Sequence, residues 1–292
     1  MKLIDGKKVA DEIKKSIAKE IADIIDSGAN APHLAAILVG EDPASQSYIL
    51  GKEKACKMVG MSSSLYKFPD DVTEQKLIEV IDFLNEDPDV NGFIIQLPLP
   101  KHINADIILQ RINPAKDVDG FHPVNMGRLA LGLPSYLPAT PAGIMLLLEN
   151  AHIETEGKHC VIVGRSNIVG TPMGLLMSRK GKSGNATVTI CHSKSQNLPE
   201  ITRQADILIV AIGKPGFIKA DMVKSGAVVI DVGIHRIPDA SEKGYYITGD
   251  VAFDEVAGKC SFITPVPGGV GPMTIIGLLM NTMKAYRKEI YQ

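Results

Sequence analysis

The chain contains no tryptophan, and aromatic residues make up only 5% of it. Proteins that hold single-stranded nucleic acid stack bases on aromatic side chains, so that partner is not expected. Neither sign of charge dominates: the formal net charge is −2, which offers no basic footprint for nucleic acid or for an acidic membrane. No apolar run approaches the roughly 20 residues that span a bilayer. The start MKLIDGKKVADEIKK lacks both an apolar signal core and an Arg- and Ser-rich transit pattern. Cysteine is sparse, with Cys56, Cys160, Cys191 and Cys260 standing far apart and no C-x-x-C pair, so neither a zinc knuckle nor a redox dithiol is indicated. The seven histidines include no H-x-x-x-H pair, and no metal site is assigned. What these absences leave is a soluble protein of a reduced, cytoplasmic compartment, with neither nucleic acid nor membrane as partner.

What is present is an ordinary packed composition, 45% hydrophobic and 22% charged, over 292 residues. That length suits two modest domains around a cleft. Val9, Ile13, Ile17, Ile21 and Ile24 recur at helical spacing, and Gly28 closes that helix. The runs LAAILVG (34–40), SSLYKF (63–68) and GFIIQL (92–97) predict strands, separated by helices from Pro43 to Gly60 and over 73–86. This alternation predicts a parallel sheet covered by helices. Residues 98–142 hold many of the 18 prolines with apolar residues interleaved, which predicts ordered loops along the cleft and a domain crossover near 138–142. A second alternation follows, with strands expected at 160–164, 186–191, 206–213, 227–233 and 261–266. The stretch 273–286 predicts a helix that returns to the first domain. The expected boundaries are 1–138 with 274–292 for the first domain and 139–273 for the second.

The strand CVIVG leads through RSNIVGTPMG into an apolar helix, a unit whose exposed N–H groups suit a pyrophosphate. G-x-G-x-x-G is absent, so the glycines Gly164 and Gly170 alone are a weak signal, with a ligand-free structural turn as the lesser alternative. Charge sharpens the reading. No acidic residue lies between Glu156 and Glu200, and the position where an NAD site carries Asp or Glu holds His192-Ser193-Lys194. Arg165, Ser166 and Ser193 suit a 2′-phosphate, which favours NADP. Arg179, Lys180 and Lys182 read instead as a solvated helix end. Gly213 and Gly233 close apolar strands where backbone can approach a nicotinamide. Gly268, Gly269 and Gly271 open the last helix, a pattern that a plain turn explains as well.

Tyr48 and Lys52 stand four apart on one helix face, a spacing that a snorkelling surface lysine also satisfies. Gln96 ends a buried strand and needs a partner or a ligand there. Asp117 and Asp119 share KDVDGFHP, where Asp117 reads equally as a turn cap.

Taken in order, YILGKEKACKMVG, GFIIQLPLP, PAKDVDGFHPVNMGRL, ATPAG, GRSNIVGTPM, DVGI and PGGVGPMT resemble the bifunctional methylenetetrahydrofolate dehydrogenase/methenyltetrahydrofolate cyclohydrolase family. The likeness runs from Asp5-Gly6-Lys7 to about Thr274; one departure is Ala139, where many members have Cys. It implies an N-terminal α/β catalytic domain and a Rossmann-like NADP-binding domain with a parallel sheet. It also implies NADP-dependent oxidation of 5,10-methylene-tetrahydrofolate, then hydrolysis to 10-formyl-tetrahydrofolate, in a homodimer serving purine biosynthesis. Carried over residue by residue, Asp119 would grip the pterin edge, Tyr48 would pack on the aminobenzoyl ring, and Lys52 with Gln96 would act on water as base or orienting donor. Leu97 and Pro272 would also touch the folate. Thr140, Gly164, Arg165, Ser166, Ile168, Val169, His192, Ser193, Gly213, Asp231, Val232, Gly233, Ile234, Gly271 and Thr274 would line the cofactor. A two-domain dehydrogenase of the shikimate or amino-acid type also carries a first-domain lysine, but does not account for QLPLP plus DVDG. A nucleotide-binding regulator without catalysis would have no reason to keep Lys52, Gln96 and Asp119 together.

Overall fold

The computed structural model describes residues 1–241 and 244–291. Chain order begins with β1 (Lys2–Leu3), α1 (Gly6–Asp26), β2 (His33–Val39), α2 (Pro43–Val59), β3 (Ser62–Phe68), α3 (Glu74–Glu86) and β4 (Gly92–Ile95). It continues with α4 (Ala105–Arg111), α5 (Pro123–Ala130), α6 (Ala139–Asn150), β5 (His159–Val163), α7 (Gly170–Ser178), β6 (Thr187–Cys191) and α8 (Leu198–Thr202). The remaining elements are β7 (Ile207–Val210), β8 (Val228–Asp231), β9 (His235–Pro238), β10 (Tyr245–Thr248), α9 (Phe253–Val256), β11 (Phe262–Ile263) and α10 (Val270–Tyr286). They form two compact units, one of Met1–Ala10 with Thr140–Thr274, the other of Asp11–Ala139 with Ile275–Gln292.

In the second of these, β2 lies between β3 and β4, all parallel. The period-two pleat sends alternate residues of β2 into different cores. Leu34, Ala36 and Leu38 pack with Ile17 and Ile21 of α1, Ile49 and Val59 of α2, and Leu278 and Met283 of α10. Ala35, Ile37 and Val39 pack with Leu77 and Ile81 of α3, Phe93 and Ile95 of β4, and Ile108 of α4. A strand covered on both faces must be apolar throughout, which is why LAAILV does not alternate. Local chemistry sets the helix that follows. The Asp42 carboxylate accepts the Ser45 N–H at 2.7 Å, Pro43 occupies the first turn, and Gly60 ends α2 at φ 78°.

The other unit holds a six-stranded parallel sheet in the order β1-β11-β8-β7-β5-β6. β6 lies on one side of β5 and β7 on the other, so the chain reverses its direction of travel at β5. In open parallel sheets such a switch point opens a ligand crevice beyond the strand ends. The antiparallel pair β9 and β10 forms a separate two-stranded ribbon.

Three features differ from the sequence expectation. Residues 98–142 are not loops alone: α4, α5 and the start of α6 lie there. Their short helices depend on caps, with the Asn104 side chain accepting from Asp106 and Ile107 and the His122 ring accepting from Val124. Met1–Ala10 belongs with the unit of the six-stranded sheet rather than the first domain, because β1 pairs with β11. The β9–β10 ribbon has no counterpart in the apolar pattern, since its strands are half exposed.

Candidate active site

α2 and the end of β4 place the first group of predicted residues. Lys52, in the third turn of α2, donates from Nζ to Gln96 Oε1 at 3.1 Å. Gln96 Nε2 donates to the Leu97 carbonyl at 2.7 Å, which orients the amide so that its oxygen faces the lysine. Burial pulls the Lys52 ammonium below its usual range, while the charges of Asp119 and Cys56 oppose that shift. Burial conversely pushes the Asp119 carboxyl upward, and Lys52 opposes it. The two groups therefore act on each other electrostatically, 67 positions apart in sequence. Tyr48, one turn before Lys52 on the same face, is 48% exposed.

Asp117 has a different, structural part, although the Asp119 charge also acts on it. Its buried carboxylate accepts the Phe121 N–H at 3.3 Å, the His122 N–H at 2.8 Å and Asn125 Nδ2 at 2.9 Å. It is the internal cap of the loop that carries Asp119, and burial pushes its carboxyl up to about 7. Ala139 is buried beside Gly277, whose added Cβ would lie 2.9 Å from the Ala139 Cα.

In the unit of the six-stranded sheet the turn after β5 is built on close approach. A Cβ on Gly164, whose φ is 135°, would collide with the Ala211 carbonyl oxygen, and one on Gly170 with the Gly164 carbonyl. Ser166 Oγ accepts the Val169 N–H at 3.2 Å, and its carbonyl accepts the Thr171 N–H at 3.0 Å. That turn presents the start of α7, with Arg165, Ser166 and Ile168 exposed and Val169 buried. The turn after β6 closes on itself: the His192 N–H donates to Ser195 Oγ at 2.9 Å and the Lys194 N–H to His192 Nδ1 at 3.1 Å. Ser193 and Lys194 are left exposed at its tip. Thr140 and Thr274 share a hydroxyl hydrogen bond of 2.9 Å, and Gly271 lies beside Ile234.

Sequence reasoning missed the hub behind these loops. Buried Asp250 accepts the N–H groups of Ile212 (2.8 Å), Gly213 (3.0 Å) and Lys214 (2.9 Å), and is 2.7 Å from His235 Nε2. Asp231 accepts from Gly233, Asp250 and Val251, each at 2.9 Å, so its carboxylate is turned inward. Gly233 likewise has an internal reason, since its Cβ would sit 2.5 Å from Asp250 Cγ. At Gly213 the reason is the backbone instead: its φ is 72°, with open space where a Cβ would be. The only sequence signal for the hub is an acid in TGDV after two half-polar strands, which reads as a turn.

A parallel sheet with a glycine turn at its switch point and a basic, acid-free rim defines a dinucleotide-binding unit. The lysine, amide and carboxylate of the other unit add a polar set suited to proton transfer. The chain belongs to the tetrahydrofolate dehydrogenase/cyclohydrolase family: residues 4–119 match that family's catalytic domain and residues 138–290 its NAD(P)-binding domain. It is 58% identical over 293 residues to the bifunctional protein FolD of Bacteroides fragilis, covering 100% of both chains. The Campylobacter jejuni FolD structure, a methylenetetrahydrofolate dehydrogenase/cyclohydrolase, superposes with TM-score 0.93 at 48% identity over 99% of each chain. The Trypanosoma brucei enzyme, solved with NADP and an inhibitor, gives TM-score 0.93 at 35% identity over 99% of this chain and 98% of that one.

Proposed function

We propose that this chain oxidises 5,10-methylene-tetrahydrofolate to the 5,10-methenyl form with NADP, then hydrolyses that product to 10-formyl-tetrahydrofolate. The observation that carries the reading is the Lys52–Gln96 hydrogen bond within electrostatic reach of Asp119. The folate function is assigned to the unit Asp11–Ala139 with Ile275–Gln292, and the NADP function to the other.

NADP held there would supply the hydride acceptor. The donors present fit its adenosine phosphate: Arg165, Ser166, Ser193 and Lys194 are exposed around two adjacent strand ends, with no carboxylate in 157–199. Asp119 binds the amidine-like edge of the pterin, whose paired donors favour its ionised form against the cost of burial. Tyr48 covers the aminobenzoyl ring with its half-exposed face. The methenyl carbon left by oxidation is cationic and electrophilic. Water adds to it and gives up one proton to Lys52; the resulting hydroxyl then becomes the formyl carbonyl, releasing its own proton, as the bond from that carbon to the ring nitrogen N5 breaks and N5 takes up a proton. Gln96 holds Lys52 in place, and the lowered pKa of Lys52 favours the neutral amine that accepts the proton.

A cytoplasmic homodimer supplying formyl groups for purine assembly is the setting we infer. Four free, buried cysteines suit a reducing compartment, and no helix among the described residues is long and apolar enough to cross a membrane. The dimer and the purine link rest on the family resemblance.

Asp119→Asn tests the reading, because it places an amide donor against the pterin's own donors. Both activities fall together, and tetrahydrofolate affinity measured by calorimetry falls with them. Unchanged affinity removes Asp119 from the folate site.

A further inference from the structure

Asp119 sits on a loop, and a loop carboxylate that must meet two pterin donors needs its backbone held. The side chain itself contributes nothing to that. Two side chains from the C-terminal stretch of the chain, Asn281 and Tyr291, brace the loop instead.

Asn281 lies on α10 and is 2% exposed. Its Nδ2 uses both hydrogens on backbone carbonyls, donating to Val118 O at 2.8 Å and to Leu137 O at 2.8 Å. The Val118 carbonyl belongs to the peptide that begins Asp119, so this bond sets the plane from which the Asp119 side chain projects. Leu137 is pressed against the same loop: a Cβ on Gly120, whose φ is 74°, would lie 2.7 Å from the Leu137 carbonyl carbon. The Val118 side chain is wedged over Gly92, with Cγ2 3.0 Å from where a Cβ would stand. Asn281 thus ties two closely apposed backbone segments together on the residue before the pterin carboxylate.

The second brace runs through the last turn of chain. The Tyr291 hydroxyl donates to Asn125 Oδ1 at 2.7 Å, and Asn125 Nδ2 donates to Asp117 Oδ2 at 2.9 Å. Asp117 in turn accepts the N–H groups of Phe121 and His122 on the far side of Asp119. The Tyr291 ring is held 5.8 Å from the Tyr136 ring, with the Arg128 guanidinium 5.1 Å above it. Asn281 therefore secures the residue before Asp119, and Tyr291 secures those after it.

We propose that Asn281 is a positioning residue for folate binding, acting through Asp119, with Tyr291 as a second, weaker support. This rests on the assignment of Asp119 to the pterin. Serine is too short to bridge both carbonyls, so Asn281→Ser frees the Val118 peptide.

The test is a double-mutant cycle with tetrahydrofolate alone as calorimetric ligand, with NADP affinity and thermal melting measured beside it. Asn281→Ser raises the tetrahydrofolate Kd about tenfold, the equivalent of one buried hydrogen bond. It leaves the NADP Kd within about twofold, and in an Asp119→Asn background it adds no more than about twofold. An equal rise in both backgrounds, or none in either, overturns the proposal, since a merely structural asparagine does not distinguish them. If Asp119→Asn alone leaves the Kd unchanged, the assignment of Asp119 fails, a result distinct from failure of Asn281. Should Asn281→Ser not fold, Tyr291→Phe decides: it removes one hydroxyl, that bonded to Asn125, and raises the Kd about threefold only when Asp119 is present. No change there overturns the proposal.

Discussion

The Lys52 ammonium donates to the Gln96 amide oxygen at 3.1 Å, and the same amide gives its own N–H to the Leu97 carbonyl. The amide oxygen is thereby committed to the lysine, and the amine is held by an uncharged acceptor. A carboxylate in that place would stabilise the ammonium; the amide leaves burial free to lower the lysine pKa.

Lys52→Met separates the two reactions. Methionine keeps the unbranched stem, so packing on α2 changes little. Hydride transfer remains measurable while hydrolysis is lost, and methenyl-tetrahydrofolate accumulates as NADPH forms. A variant that hydrolyses added methenyl substrate at the wild-type rate removes Lys52 from the mechanism.

Gln96→Glu places a negative charge against Lys52 and raises its pKa. The fraction of neutral amine at a given pH falls, so the rising limb of the hydrolysis rate moves to higher pH. Dehydrogenation, which needs no proton acceptor at that point, keeps its pH profile. A hydrolysis profile that does not move with the substitution shows that Lys52 ionisation does not limit the step.

Arg165→Ala affects NADP more than NAD. The guanidinium is exposed at the end of β5, in a rim with no acid to repel a 2′-phosphate. Loss of a charge-assisted hydrogen bond costs about 1–3 kcal/mol of NADP affinity, and NAD, which lacks the phosphate, loses little. Equal losses show that Arg165 does not read the 2′-phosphate.

Stability carries its own pH signature through Asp117. Its carboxyl is raised from 3.8 to about 7 by burial, so the folded chain keeps a proton that the unfolded chain has released. The contribution is fully present below pH 3.8 and is lost as pH rises through about 7. Asp117→Asn cannot ionise, so the difference in melting temperature between wild type and variant shifts toward the variant across that window. A constant difference from pH 4 to 8 shows that Asp117 does not hold its proton in the folded state.

Much of this protein is determined by local sequence. Apolar runs such as LAAILV and CVIVG can only be strands buried on both faces, and the glycines and prolines around them set where each ends, as Pro43 and Gly60 bound α2. The ordered motifs from Tyr48 to Thr274 carried the family, and the missing acid after β6 favoured NADP because charge selection depends on residue type more than on exact position. Tertiary structure decided what requires two distant segments to meet. Lys2–Leu3 is too short to read as a strand until Phe262–Ile263 lies beside it. Asp250 reads as a turn residue until the N–H groups of 212–214 converge on it. Asn281 is one of several polar residues on a mostly apolar helix, and its role exists only because the Val118 and Leu137 carbonyls, 19 positions apart, are folded within reach of one amide. Sequence patterns record what a segment buries; which polar groups satisfy one another is set by long-range packing, and in this chain that packing holds the loops that carry the proposed site residues.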